Sequence, residues 1–341
     1  MERKIVYLEY LRVFCAITVI IDHICISAIH NFDSLATNYD RFLYNGVQHW
    51  SHFAVPVFVM ITGFLLLNPQ KEISLTKAIK KYAWRMVAVL LVVGTAFAWL
   101  ELFFSSKRFI VSDIFVSFLN MFEGHSWNHL WYLYMLIGLY LITPMLKYMV
   151  NTISVRELDL FIGIGLFFTS LWPLIKNLLN IEIGIDFPIS SVYVFYMLLG
   201  YRLGNVSFKK RSLTLFYAIA ILLSVLCFLL AYLEFMGGYD ELTVLTKYYS
   251  PVIVGFAIMV FLIFKMHDPQ YLSRQLAALS RDSFGIYVFH MLFINVLYKA
   301  FNISPVVYGV WTIIPITLIV LLLSEITTII YRRIPVIGKY I

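Results

Sequence analysis

The chain has 341 residues, 61% hydrophobic and 13% charged, and its mean hydropathy of +0.85 excludes an ordinary soluble domain. The formal net charge of +7 comes with no basic arm or base-reading motif, which excludes nucleic acid as a partner. This is the composition of an integral membrane protein.

A hydrocarbon core of about 30 Å needs about 20 helical residues per crossing. Ten spans are predicted, starting near Tyr7, Trp50, Met86, His129, Leu158, Ile189, Leu213, Tyr248, Ser283 and Val307. The expected fold is therefore an all-α membrane protein of about ten transmembrane helices, one domain over residues 1–341 with no fused soluble domain. With the N-terminus cytoplasmic, 20 of the 26 Lys and Arg residues face inward, which places both termini in the cytoplasm.

The first span, Tyr7 to Ile29, carries Glu9, Arg12, Asp22 and His23. An ionised side chain near the middle of a spanning helix costs roughly 2.5–3.5 kcal/mol on insertion scales, so these residues should face protein or a wet cavity. Eleven steps of about 100° bring His23 to within about 20° of the Arg12 face, about 16 Å further along the axis. Both then point into the same passage, a cation at one end and a base near the other. His23 is a candidate general base, because imidazole is basic at neutral pH; the bland alternative is a histidine bonded to a neighbouring helix. Arg12 has Glu9 three residues earlier on its face, so either a plain buried ion pair or an arginine shared with an incoming anionic or carbonyl group fits. Asp22 lies about 100° from His23 around the helix and is a poor partner for it. A short basic start without a cleavage site marks this as a retained helix, not a removed signal peptide.

Asn31 to His49 is expected as a polar outward loop. Residues 53–67 put Pro56 and Gly63 inside the second span, as a broken or closely packed helix allows. The inward stretch 71–85 holds Lys77, Lys80, Lys81 and Arg85 on a predicted helical extension of the third span. Ser105 to Asn128 is the second long outward connection, and its Phe109 to Phe122 section suits an interfacial amphipathic helix. In Trp127 to Tyr134, Trp-Asn-His-Leu-Trp-Tyr-Leu-Tyr, an aromatic belt explains the rings but not His129. Ser283 to His290 places Tyr287 and His290 three apart on one face, expected in the inner half of the ninth span. Cys15, Cys25 and Cys227 fall inside spans without metal-site spacing. No Walker loop, His-Glu-x-x-His or Gly-x-Ser-x-Gly is present, which argues against nucleotide hydrolysis, zinc catalysis and serine-hydrolase chemistry.

Taken in order, these segments resemble the membrane-bound acyltransferase family three, bacterial O-acyltransferases of surface glycans. Arg12 and His23 with ten residues between them resemble the family's Arg-x10-His. Pro56 to Leu67 resembles its apolar-Pro-apolar-Ser-Gly-Phe-Leu-Leu, with Thr62 in place of Ser. His129-Leu130-Trp131-Tyr132-Leu133, Tyr140 with Pro144, and Ser283 to His290 match its later motifs, and the similarity runs from Leu8 to Pro335. The resemblance implies ten helices around a pore, a cytoplasmic acetyl-CoA or other acyl-CoA donor, no metal, and acyl delivery to a sugar hydroxyl at the outer face of a bacterial cytoplasmic membrane. It implies His23 and Arg12 as catalytic residues. Arg85, Lys81 and Arg202 become coenzyme-binding candidates, with Glu9, His129, Trp131, Tyr287 and His290 supporting the substrate. Expected partners are a glycan or lipid-linked sugar acceptor, membrane lipid, and a separate transferase or glycan-assembly protein. The rival class is a multi-span exporter of a glycan or small molecule.

The charge distribution makes a direct topology prediction. In a cysteine-free background, a cysteine at Asn38 should react with an impermeant outside reagent and one at Lys209 should not; the reverse pattern would invert the topology.

Overall fold

The computed structural model describes residues 5–108, 110–181, 184–185, 187–237 and 244–341; Arg3, Lys4 and Phe109 lie outside them. The described chain is helical, with α1 Val6–Asn31, α2 Asn38–Ser51, α3 Ala54–Leu66, α4 Leu75–Ser106, α5 Asp113–Phe122, α6 Asn128–Thr152 and α7 Val155–Leu179. After these come α8 Val192–Gly204, α9 Ser212–Met236, α10 Pro251–His267, α11 Arg274–Ala300 and α12 Val310–Tyr331. Among the described residues nine helical stretches are long and apolar enough to cross a membrane, with α2 and α3 forming one of them. The span expected from Ile189 is α8, whose 13 residues extend only about 20 Å.

Burial separates centre from rim. In α1 and in the α2–α3 stretch, 61% and 67% of the apolar window is buried, against 17% in α9. The outer helices turn their leucines and isoleucines outward, as a lipid-facing surface requires. α1 packs against α2, α3, α10, α11 and α12, so its polar residues are enclosed by protein on nearly every side.

Several boundaries differ from the sequence expectation. The outward loop expected over Asn31 to His49 is largely α2, because Thr37 and Asp40 form a reciprocal cap that holds the first free amides. Its polar composition reflects that cap and bonds such as His49 Nε2 to Glu234 Oε2 at 2.7 Å. α2 ends at Ser51 and α3 begins at Ala54, which puts Pro56 in the first turn of α3, where a missing N–H costs no intrahelical bond. α11 starts at Arg274, behind a Ser273 cap, rather than at Ser283. His290 is thus 16 residues along α11 and lies at the level of His23, not in the inner half. α4 is continuous through two wide turns at Ala78–Ala83 and Leu90–Gly94, and the amphipathic segment appears as α5, which exposes Phe115, Leu119 and Phe122.

The tightest crossing joins α3 to α8. A Cβ on Gly63 would sit 1.9 Å from the Met197 carbonyl oxygen, and one on Gly200 1.9 Å from the Met60 carbonyl oxygen. Only glycine lets the two backbones meet this closely. Gly200→Ala should therefore lower stability by about 1–3 kcal/mol, while Gly138→Ala, inside α6 with nothing within 4 Å of the added carbon, should raise it by up to about 1 kcal/mol. Thermal unfolding of the purified variants checks the contrast.

Candidate active site

Arg12 and His23 lie on one face of α1, as the helical repeat requires. Arg12 Nη1 donates to Glu9 Oε1 at 3.2 Å, so both readings of Arg12 keep their basis. The guanidinium is not sealed, however: its side chain is 25% exposed and lines a cavity of about 160 Å3. The same cavity is lined by Thr62 of α3, Arg85 of α4, Tyr132 and Tyr140 of α6, and Tyr287 of α11. Thr62 satisfies its hydroxyl on the Phe58 carbonyl at 2.9 Å, which leaves the oxygen's lone pairs available.

Arg85 is fixed by the end of the chain. Its Nε donates to the Tyr340 carbonyl at 2.9 Å and Nη2 to the Ile341 oxygen at 3.2 Å, and the guanidinium lies 4.6 Å from the centre of the Phe284 ring. Beyond it, Lys80, Lys81, Arg85 and Lys339 line a second cavity of about 410 Å3. Arg85 lines both, which puts one continuous run of cations at this end of the bundle. Arg202 stands apart, gripped by Asp159 through Nε at 2.6 Å and Nη2 at 2.9 Å.

Behind Tyr287, in the wall of the Arg12 cavity, three histidines meet. The His23 ring is 4.9 Å from His290 and 6.3 Å from His129, and the last two are 5.0 Å apart. Each ring has one nitrogen beside a backbone carbonyl: His23 Nδ1 on Val19 at 2.9 Å, His129 Nε2 on Val288 at 3.1 Å, and His290 Nδ1 on Tyr287. A carbonyl accepts only, so each of these nitrogens carries the proton and the opposite nitrogen is the basic one. His129 Nδ1 and His290 Nε2 are buried without a partner. Of the three, only the His23 side chain is appreciably exposed, at 21%. That makes His23 the accessible imidazole of the three.

Neighbouring groups lock this cluster. The Tyr287 hydroxyl donates to the His129 carbonyl oxygen, so α6 and α11 are tied where their histidines meet. Asp22 Oδ1 accepts the Ser51 hydroxyl at 2.7 Å, and its Oδ2 is 3.7 Å from His23 Nδ1, close enough for charge stabilisation but too long for a hydrogen bond. His52 Nδ1 donates to the Thr246 carbonyl at 2.6 Å, and its ring is 4.7 Å from Tyr248. Trp131 stacks near Tyr193 and Tyr248, 5.9 and 5.3 Å away. Sequence reasoning missed Ser51, His52, Tyr132 and Tyr248. For Ser51 and His52 a signal existed in a polar pair just ahead of Pro56, where a span has to break. Among the described residues no set of three or more His, Cys, Asp or Glu side chains is arranged to hold a metal ion.

The fold and this site define a multi-pass membrane protein with a cationic cavity and, behind one of its tyrosines, a histidine cluster. The chain belongs to acyltransferase family 3: residues 5–329 match the family described as an acyltransferase domain. Comparison with curated proteins and with solved structures found no match. The protein is thus a membrane acyltransferase.

Tyr287→Phe removes one hydroxyl and the bond to the His129 carbonyl while keeping the ring. It should cost about 1 kcal/mol, seen as a lower thermal midpoint; an unchanged midpoint would show that the α6–α11 tie adds nothing.

Proposed function

We propose that the protein is an acyl-CoA-dependent O-acyltransferase, in particular an O-acetyltransferase, of the bacterial cytoplasmic membrane. Its acceptor is a sugar hydroxyl of a surface glycan or a lipid-linked precursor, presented at the outer face. The observation that carries this reading is a chain of shared residues: Arg85 lines both the four-cation cavity and the Arg12 cavity, and Tyr287 of the Arg12 cavity packs against the rings of His129 and His290.

Coenzyme A is strongly anionic, and Lys80, Lys81, Arg85 and Lys339 offer cations for its phosphates. Arg202, held by Asp159, is the weaker candidate of the original three. Arg12 sits deeper and is shared with only one Glu9 oxygen, so its remaining donors can orient the pantetheine arm or the thioester carbonyl. His23 Nε2 takes the proton from the sugar hydroxyl as that oxygen attacks the acyl carbon. The carbon–sulfur bond breaks, and the proton leaves His23 with the departing thiolate as coenzyme A. Asp22 stabilises the imidazolium formed between these two transfers. A passage through protein keeps bulk water from competing with the sugar, and most of the acceleration comes from positioning. A separate glycan-assembly protein or transferase would hand over the acceptor or carry the product onward.

Acetyl-CoA consumption by the protein in lipid nanodiscs, with release of free coenzyme A, tests this directly. Arg12→Lys should lower turnover by at least about tenfold, because an ammonium keeps the charge but loses the planar fork. Lys81→Ala with Lys80→Ala should raise the acetyl-CoA concentration needed for half-saturation, and the effect should shrink as salt rises. No coenzyme A release by the wild type under any acceptor condition would reject the proposal.

A further inference from the structure

A further cavity lies at the opposite end of the bundle from Arg85, between the end of α7, the start of α8 and the start of α10. It encloses about 700 Å3, within the range of small-molecule sites. Aromatic rings dominate its wall, with Trp172, Tyr193, Tyr248 and Tyr249 among them; Lys176 and the exposed Lys247 are its cations, and Ser190 and Ser191 also line it.

We propose that this cavity binds the acceptor, and that the acceptor is a saccharide bearing a phosphate or a carboxylate. The inference rests on the acyltransferase reading for the role of the bound sugar, not for its binding. Three features select this class. The C–H face of a pyranose is apolar and lies flat on aromatic rings, whereas its hydroxyls can pair with those of Ser190 and Ser191. A hydrocarbon chain would cover the rings but offer nothing to the serine hydroxyls or the Lys247 ammonium. Lys247, with Lys176 on the same wall, adds positive charge that a neutral sugar would not use, and an anion on the ligand gives Lys247 a charge-assisted bond.

The cavity is also placed to deliver a hydroxyl. Tyr248, in its wall, contacts the rings of His52 and Trp131 at 4.7 and 5.3 Å. Ser51, next to His52, is bonded to Asp22, whose other oxygen is 3.7 Å from His23. His52, which lines the cavity, together with Ser51 and Asp22 thus links the sugar cavity to the proposed base.

Saturation-transfer NMR on the protein in nanodiscs, without acyl-CoA, tests the binding with three probes: glucose 1-phosphate, glucuronic acid and glucose. At least one charged probe should bind about tenfold or more tightly than glucose, and which one binds tells phosphate from carboxylate. Lys176→Glu together with Lys247→Glu should remove that preference, and Trp172→Ala, which takes a ring out of the wall, should weaken all bound probes several-fold. Thermal midpoints equal to wild type show that both variants fold. Glucose binding as well as the charged probes, no probe binding, or full retention of the preference in the double-lysine variant would each overturn the proposal. Charged-probe binding as expected, combined with no coenzyme A release in the acetyl-CoA assay, would leave the saccharide site standing and reject the acyltransferase reading instead.

Discussion

A guanidinium and three imidazoles inside an apolar bundle must find partners in protein, because the bilayer offers none. The arrangement around α1 follows from that constraint. Arg12 is satisfied in part by Glu9 and in part by an open cavity; each imidazole is satisfied at one nitrogen by a carbonyl of the helical backbone. Full satisfaction would make these groups structural. Here satisfaction stops halfway, and the unmatched half is where chemistry can occur: the outer guanidinium donors of Arg12 and the basic nitrogen of His23.

The central enclosure of α1 depends in turn on close backbone packing elsewhere. α8 is too short to cross alone, but the Gly63–Gly200 crossing seats it against α3. α3 then lines the Arg12 cavity with Thr62, and the break before it places Ser51 and His52 beside Asp22. A short helix, a proline in a first turn and two glycines therefore position polar groups that come from three different helices and the break between two of them. The cost of burying those groups is offset by hydrogen bonds across helices, among them Tyr287 to His129 and Ser51 to Asp22.

Much of this was legible in the residues alone. Hydropathy located the spans, and an eleven-residue separation put Arg12 and His23 on one face because the helical repeat nearly closes over that interval. The three-residue spacing of Tyr287 and His290 likewise put them on one face, but not at the right depth. Depth depends on where α11 begins, and its polar first turns from Arg274 are helical through a serine cap and tertiary packing rather than through hydropathy. α2 was hidden for the same reason: its polar residues face a cap and partners such as Glu234, not water. The meeting of His23, His129 and His290 comes from three helices far apart in sequence, and no local pattern encodes such a contact.

The central claim is that His23 acts on the reacting hydroxyl rather than holding the bundle together, and the most direct measurement is acyl transfer per folded molecule in His23→Ala and His23→Gln. The account predicts that both variants insert and bind acetyl-CoA, with transfer reduced by about 10²–10⁴ in each, because glutamine restores a hydrogen bond but not a base. Transfer per folded molecule close to wild type in His23→Ala, or its full recovery in His23→Gln, would contradict it.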